Sequence, residues 1–443
     1  MDDGAAASAS GRSRRRAVRH GETDEPRVGL EQGLWRIRSL GAARQVLRAR
    51  HQTTQAGFTA EWIPRTWLRN HPILLSDGPT HDEQRSKVAR FFAPAVVEAR
   101  YLTSMERTAD RMLAEASRSD HVDLDMLALH FSVEVTGAVV GLTHSATPAM
   151  ARRLTTFFRQ PPLDLSKPRL GRTGRQWAMA AVNGLVPILR FHLADVRPAI
   201  RQRRARPQDD IISHLIAEGY TDTDILVECV TYGTAGMVTT REFITMAAWH
   251  LLTDIDLADR YRASDGEGRR MILAEILRLE PVVGHLYRRT TEPVDVVEED
   301  RTWTIPAGEL VDVAVRQTNT DPRSWGDDAL DLCPGRTVPV GVNAAGLTFG
   351  DGAHRCPGQP LAIVEAEVLL SRLLERDPRL VSPPQIGWVD LIEGYVLRGL
   401  RVSLAPHTSV RGGHDPRPVA HDPRPMGHEP RPVGHDPRPG GVE

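Results

Sequence analysis

The sequence predicts a mainly α-helical protein with small β-sheets. Apolar residues recur at helical spacing in GAARQVLRAR, in HDEQRSKVARFF, from Met105 to Ala116 and from Asp224 to Thr253. Strand-like alternation is confined to VDVVEEDRTWTIPAGELVDVAV, with Pro306-Ala307-Gly308 as its turn, and to the C-terminal LRGLRVSL. With 443 residues, 40% of them hydrophobic, the chain can bury a large core.

The segments follow in order. Residues 1–27 carry Arg12, Arg14, Arg15, Arg16 and Arg19, followed by polar residues where a signal peptide needs an apolar stretch. They are expected to form a disordered extension on a chain that stays in the cytoplasm. Residues 28–405 read as one folded domain. Inside it, Pro322 to Val342 is rich in Pro, Gly and Asp without either period, which predicts an ordered meander. Residues 406–443 hold four seven-residue units, HDPRPVA, HDPRPMG, HEPRPVG and HDPRPGG, whose prolines block helix and sheet pairing and predict a disordered tail.

Fifty-six basic and 57 acidic residues leave a net charge of -1, so no global field favours nucleic acid. No run approaches the roughly 18 apolar residues of a membrane helix, and no membrane partner is expected. The cysteines Cys229, Cys333 and Cys356 form no C-x-x-C pair, which argues against disulfide scaffolds and zinc modules.

The densest chemical signal is LTFGDGAHRCPGQPLA, Leu347 to Ala362. An apolar lead-in and an apolar helix flank Cys356, placing the thiol at a helix N-terminus, where amide N–H groups stabilise a thiolate. The glycines let the backbone approach something large and flat. A merely buried, apolar cysteine is the alternative, and the glycine density counts against it.

The pattern F-G-x-G-x-H-x-C-x-G-x-x-L-A matches at every fixed position, from Phe349 to Ala362, and resembles the haem-binding loop of the cytochrome P450 superfamily. The resemblance implies a single-domain cytochrome P450 fold, a helix-rich and a β-rich part around a buried haem b. It makes Cys356 the axial ligand of the iron. Phe349, Gly350 and Gly358 then pack about the sulfur, and His354 reaches a haem propionate. Ile363 stands where bacterial members often carry arginine.

Other family landmarks appear in order. Glu275 and Arg278, three apart on one helix face about 80 residues before the cysteine, resemble the buried E-x-x-R pair, with Arg336 as its candidate third member. SDGPTHDEQRSK resembles the entry to the family's C-helix, with His81 and Arg85 aimed at the propionates; Arg288, or its neighbour Arg289, supplies another cation. Lys87, Arg90 and Arg355 form a candidate basic patch for an acidic electron donor, a ferredoxin. The helix capped by Thr221 or Thr223 contains Gly233 and Gly236, and resembles the family's I-helix, where A-G-x-(Asp/Glu)-Thr lines the cofactor. Here it reads Ala235-Gly236-Met237-Val238-Thr239, with valine in place of the acid.

Valine cannot relay a proton. Water with Thr239, Thr240 or the substrate's polar groups can substitute, as can Glu242 or Arg241 from the next turn, or the reaction ends without oxygen insertion. By resemblance, substrate contacts come from His51 to Leu75 (Gln55, Trp62), the I-helix (Tyr232, Met237), Val282 to Leu286 (His285) and the hairpin Ile392 to Val396 (Tyr395). These side chains suit a small aromatic molecule, favoured as an indole-bearing cyclodipeptide from secondary metabolism. The expected activity is a haem-thiolate oxidase fed by ferredoxin, working by oxidative coupling or cyclisation or by hydroxylation. The alternatives are an ordinary hydroxylating monooxygenase of another metabolite and a non-catalytic haem-binding recruiter or sensor.

Overall fold

The computed structural model describes residues 14–57 and 70–404. The 406–443 tail and Trp62 lie outside the described residues. The helices that build the site are α1 (Leu40–Arg48), α2 (Gly78–Phe92), α3 (Leu102–Ala116), α4 (Leu124–Val140), α5 (Thr147–Thr155), α6 (Gly174–Phe191), α7 (Asp222–Tyr232), α8 (Thr239–Thr253), α9 (Gly266–Leu279) and α10 (Gln359–Leu374). Most pack in one apolar core running through Met105, Phe131, Phe243, Ile276 and Leu369. Helix α8 is buried almost all round, with Phe243, Ile244, Met246, Ala247, Ala248 and Leu251 inside, the signature of a central helix.

A second core, around Ile37, Val46, Val296, Val311 and Val313, belongs to the β-rich part. Its strands are β1 (Val28–Glu31), β2 (Leu34–Ile37), β3 (Thr53–Ala56), β4 (His285–Thr290), β5 (Val294–Glu298), β6 (Arg301–Ile305) and β7 (Leu310–Ala314), and a hairpin follows from β8 (Gln385–Val389) and β9 (Gly394–Arg398). The main sheet runs β1-β2-β7-β4-β3. Strand β7, buried at every position, pairs parallel with β2 and antiparallel with β4. Pro306-Ala307-Gly308 therefore links two sheets. The hairpin turn within the alternating segment lies instead between β5 and β6, where Glu299 adopts a positive φ. Burial of both faces of β7 outweighed the period-two continuity that made the segment look like one unit.

Residues 14–27, assigned above to a disordered extension, lie against the body from Arg14 onward. The backbone N–H of Ala17 donates to Glu280 at 3.0 Å, the Arg16 guanidinium sits over the Trp249 ring, and Arg19 pairs with Asp390 at 3.0 Å. Glu280 is 1% exposed and takes that backbone N–H, while the side chain of Arg15 pairs with Glu22 at 2.8 Å and that of Arg16 donates to Thr253 at 2.6 Å.

The stretch Gly174–Ala205 is long and apolar enough, by length and composition, to cross a membrane, where the sequence reading found no such run. Arg175, Arg190 and Arg197 interrupt it locally and hide its average character. Met179, Val182, Leu185, Leu189 and Leu193 are exposed along it.

Candidate functional site

Cys356 precedes α10 by two residues. Its backbone N–H donates to the Phe349 carbonyl at 2.8 Å, closing the loop, while Gly350 and Gly352 take positive φ of 71° and 68°. A Cβ at Gly352 would lie 2.2 Å from the Leu47 carbonyl oxygen, so only glycine fits this close crossing of α1. Cys356, in contrast to the buried Cys229, is solvent-accessible. Desolvation pushes its thiol pKa up, against the backbone N–H groups of Gly358 and Gln359 and the nearby Arg85, which pull it down. These N–H groups and the Arg85 charge favour the thiolate, which is the form that would ligate a metal ion.

A group of cations stands beside the loop. His81 is 2% exposed and its ring stacks on His354 with centroids 4.2 Å apart. Burial, then His354 and Arg85, lowers the His81 pKa to about 4. Arg288, on β4 opposite Gln55, is 4% exposed, and burial lowers its pKa to about 10 despite Asp77. Arg85 donates to the Arg355 carbonyl. Asp77 accepts from His354 at 2.9 Å and from the Gln55 N–H at 3.1 Å; burial works against its ionisation, but these bonds hold its carboxyl low. Two guanidinium groups and two imidazoles beside Asp77 and the cysteine loop form a largely buried edge, with more positive than negative charge, that two further carboxylates would relieve. A sulfur ligand with such an edge fits haem.

The central helix carries the opposite wall. Between α7 and α8 the turn Gly233–Val238 is π-helical. Thr239 donates its hydroxyl to the Ala235 carbonyl at 2.5 Å, and Thr240 donates to that of Gly236 at 2.6 Å, so both satisfy carbonyls at the widened turn. The glycines serve helix packing: a Cβ at Gly233 would meet Leu154 at 2.7 Å, and one at Gly236 would meet Thr136 at 3.4 Å. Glu242 is 1% exposed and fully engaged, accepting from Arg241 at 2.8 Å, the Leu397 N–H at 2.7 Å and Arg398 at 2.9 Å.

A cavity of about 330 Å³ opens along this wall. Val238, Thr239 and Val282 line it, with Ile392 and Val396 from the hairpin region, Thr155 and Phe158 from the end of α5 and the turn after it, and Met126 and Leu129 from α4. Val282 is the one described substrate candidate on this wall. Tyr395 is wholly buried and donates to the Glu280 carbonyl at 3.2 Å. His285 bonds Asp312 at 2.7 Å, Met237 is packed in the core, and Gln55 bonds the Ala56 carbonyl at 3.1 Å. Tyr395, His285 and Gln55 were chosen for polar chemistry that the fold spends on its own partners, and Met237 for apolar surface that it spends on the core. The α5 residues carried no sequence signal, because an arginine- and threonine-rich helix reads as surface.

Away from the cavity, Arg278 bonds Glu275 through two nitrogens at 2.7 and 2.8 Å, and Arg336 joins Glu275 at 3.2 Å. Lys87, counted in the basic patch, is matched by Glu83 at 2.8 Å and Glu218 at 2.6 Å, and Arg355 turns back to Gln359 at 3.0 Å.

A family model for cytochrome P450 matches residues 269–376, spanning the Glu275–Arg278 pair and the cysteine loop. Over 378 residues the chain is 30% identical to "Cytochrome P450 130" of Mycobacterium tuberculosis, covering 80% of this chain and 84% of that one. It is 30% identical over 379 residues to the "Cytochrome P450 monooxygenase PikC" of Streptomyces venezuelae, covering 80% and 82%. Among solved structures, a mutant of P450 EryK in complex with erythromycin B superposes with a TM-score of 0.71 at 22% identity, over 90% of this chain and 95% of that one. That likeness concerns the fold.

Proposed function

The chain belongs to the cytochrome P450 family and is a monooxygenase of that family, and we propose that it oxidises a small aromatic product of secondary metabolism, favoured as an indole-bearing cyclodipeptide, with electrons from a ferredoxin in the cytoplasm. The observation that carries this reading is the Cys356 sulfur, met by the N–H groups of Gly358 and Gln359 with Arg85 beside it. Cys356 would hold the iron of haem b, and His81, Arg85, Arg288 and His354 would hold its carboxylates; the sequence offers no C-x-x-C for covalent attachment. When bound, haem supplies the two-electron, two-proton reduction of dioxygen, one oxygen atom passing to the substrate and the other leaving as water.

The chain's own part is to move protons and to place the substrate. Thr239 stands on the cavity wall with its proton on the Ala235 carbonyl, ready to turn toward the cavity. Val238 beside it carries none. Glu242, engaged by Leu397, Arg398 and Arg241, is an anchored anion rather than a carrier. Protons therefore pass through Thr239, cavity water and the substrate's own N–H or O–H groups.

Cys356→Ser should abolish the thiolate-type red shift of the reduced carbonyl complex; retention of that band removes the ligand assignment. NADPH, ferredoxin, its reductase, labelled dioxygen and an indole cyclodipeptide then read the outcome. Labelled product means insertion and unlabelled product means coupling, while binding without any product overturns the substrate reading.

A further inference from the structure

The cavity beside Thr239 is lined by four arginines, Arg152, Arg159, Arg241 and Arg398, and by a single carboxylate, Glu242. Glu242 is taken up by Arg241 and Arg398. Among the described residues neither Arg152 nor Arg159 meets a carboxylate. The neighbouring arginine shows the contrast: Arg153 points away and pairs with Asp195 through bonds of 2.6 and 2.7 Å. Arg152 and Thr155, three residues apart, share one face of the helix, and Arg159 caps the turn Thr156–Phe158 that continues it. That face is the one lining the cavity. The turn is fixed from behind, since Asn183 on α6 donates to the Arg159 carbonyl at 2.6 Å. His130 stands near enough to Arg152 for its pKa to be lowered, first by burial and then by that charge.

The rest of the lining is apolar: Met126, Leu129, Phe158, Val282, Ile392 and Val396. An apolar chamber with two uncompensated guanidinium groups matches an amphipathic molecule with one anionic end. Guanidinium forks accept a planar carboxylate through paired bonds, and nearby low-dielectric walls strengthen the attraction.

We propose that Arg152 and Arg159 form a carboxylate subsite, so that the preferred substrate is an aromatic acid whose anionic end is held by these arginines while its apolar body lies along Val238 and Thr239. This rests on the monooxygenase reading and narrows it, since a neutral cyclodipeptide leaves both arginines without a partner. The acid end sets which carbon is presented, which makes the two arginines specificity-determining residues.

The test compares acid–amide pairs, indole-3-propionate with indole-3-propionamide and 2-naphthylacetate with 2-naphthylacetamide, by titration calorimetry on the holoenzyme. Calorimetry reads binding independently of turnover. The acids should bind about tenfold more tightly than their amides at about 0.05 M salt, and the gap should narrow at about 0.3 M. Arg152→Gln and Arg159→Gln should each weaken the acids about threefold to fivefold and leave the amides within about twofold, with Arg152→Lys, which keeps the charge and loses the fork, retaining only part of the preference. Amides binding as well as acids in both pairs, including the absence of binding by either, overturn the subsite, as do variants that weaken both members of a pair equally. If the variants do not fold, the salt dependence of the unaltered protein decides alone. The carbonyl band of the unaltered protein separates the cases: its presence with no acid preference sinks only the subsite, and its absence sinks the haem-thiolate reading beneath it.

Discussion

Two sets of arginines meet opposite fates in this molecule. Arg278 is 0% exposed, and its guanidinium donates to both oxygens of Glu275 and to the carbonyls of Asn319 at 2.6 Å and Ala329 at 2.9 Å. Arg336 completes the group, and the Cys333 N–H donates to the same carboxylate at 3.0 Å. Arg152 and Arg159 are exposed, line a cavity and meet no carboxylate among the described residues. Where charge holds the chain together, every donor is spoken for. Where charge faces a ligand, donors are left over.

The largest effect is expected where saturation is complete. Glu275→Gln leaves Arg278 and Arg336 buried without their shared counter-charge and should cost about 3–5 kcal/mol of stability, read by urea unfolding. Haem retention should fall with it, because the meander held by these arginines leads into the cysteine loop. A loss below about 1 kcal/mol would mean that the carbonyl acceptors alone satisfy the pair.

Glu365 on α10 sits between the two extremes. One oxygen accepts from Thr136 at 3.4 Å while the other has no partner, and burial raises its pKa from 4.5 to about 8, the nearby Ser132 and Thr136 hydroxyls opposing the rise. The unfolded chain releases this proton near pH 4.5, and the folded chain keeps it until about pH 8. The native state thus binds more protons across that window. Its stabilising contribution is whole below pH 4.5 and is lost as pH rises to about 8, at up to about 1.4 kcal/mol per unit. Glu228, raised to about 7 mainly by burial, adds to the same slope in its lower part. Glu365→Gln should flatten the fall in stability between pH 5 and 8, followed by thermal unfolding; an unchanged slope would place the titration elsewhere.

This contrast also explains what the sequence made legible. The cysteine loop, the Glu275–Arg278 pair and the Thr239 turn lie within short stretches, where local spacing dictates geometry, whereas Arg336, 61 residues from Glu275, was offered only through the family resemblance. The cavity wall is assembled from α4, α5, the central helix and the terminal hairpin, so no window of sequence contains it. Tyr395 and His285 misled for the same reason: whether an aromatic side chain faces a ligand or a backbone carbonyl is decided by partners more than a hundred residues away for Tyr395 and Glu280. The ordered course of residues 14–27 was hidden likewise, since Glu280 is remote from the arginines around it.

The smallest expected effect probes the leftover charge from the other side. Val238→Asp places a carboxylate on the cavity wall, next to Thr239 and along from Arg152 and Arg159. It supplies the proton carrier that this helix lacks, so the share of hydroxylated product or of uncoupled turnover should rise, read by labelled dioxygen and peroxide release. The same charge offsets the two guanidinium groups, so the preference for an aromatic acid over its amide should shrink by about twofold to threefold, on top of a loss common to both where the apolar body meets the new carboxylate. The two readouts divide the roles of this wall. A changed product ratio with an intact acid preference assigns position 238 to proton supply alone. An unchanged product ratio makes valine a packing residue, leaving substrate placement by the arginines as the determinant of the outcome.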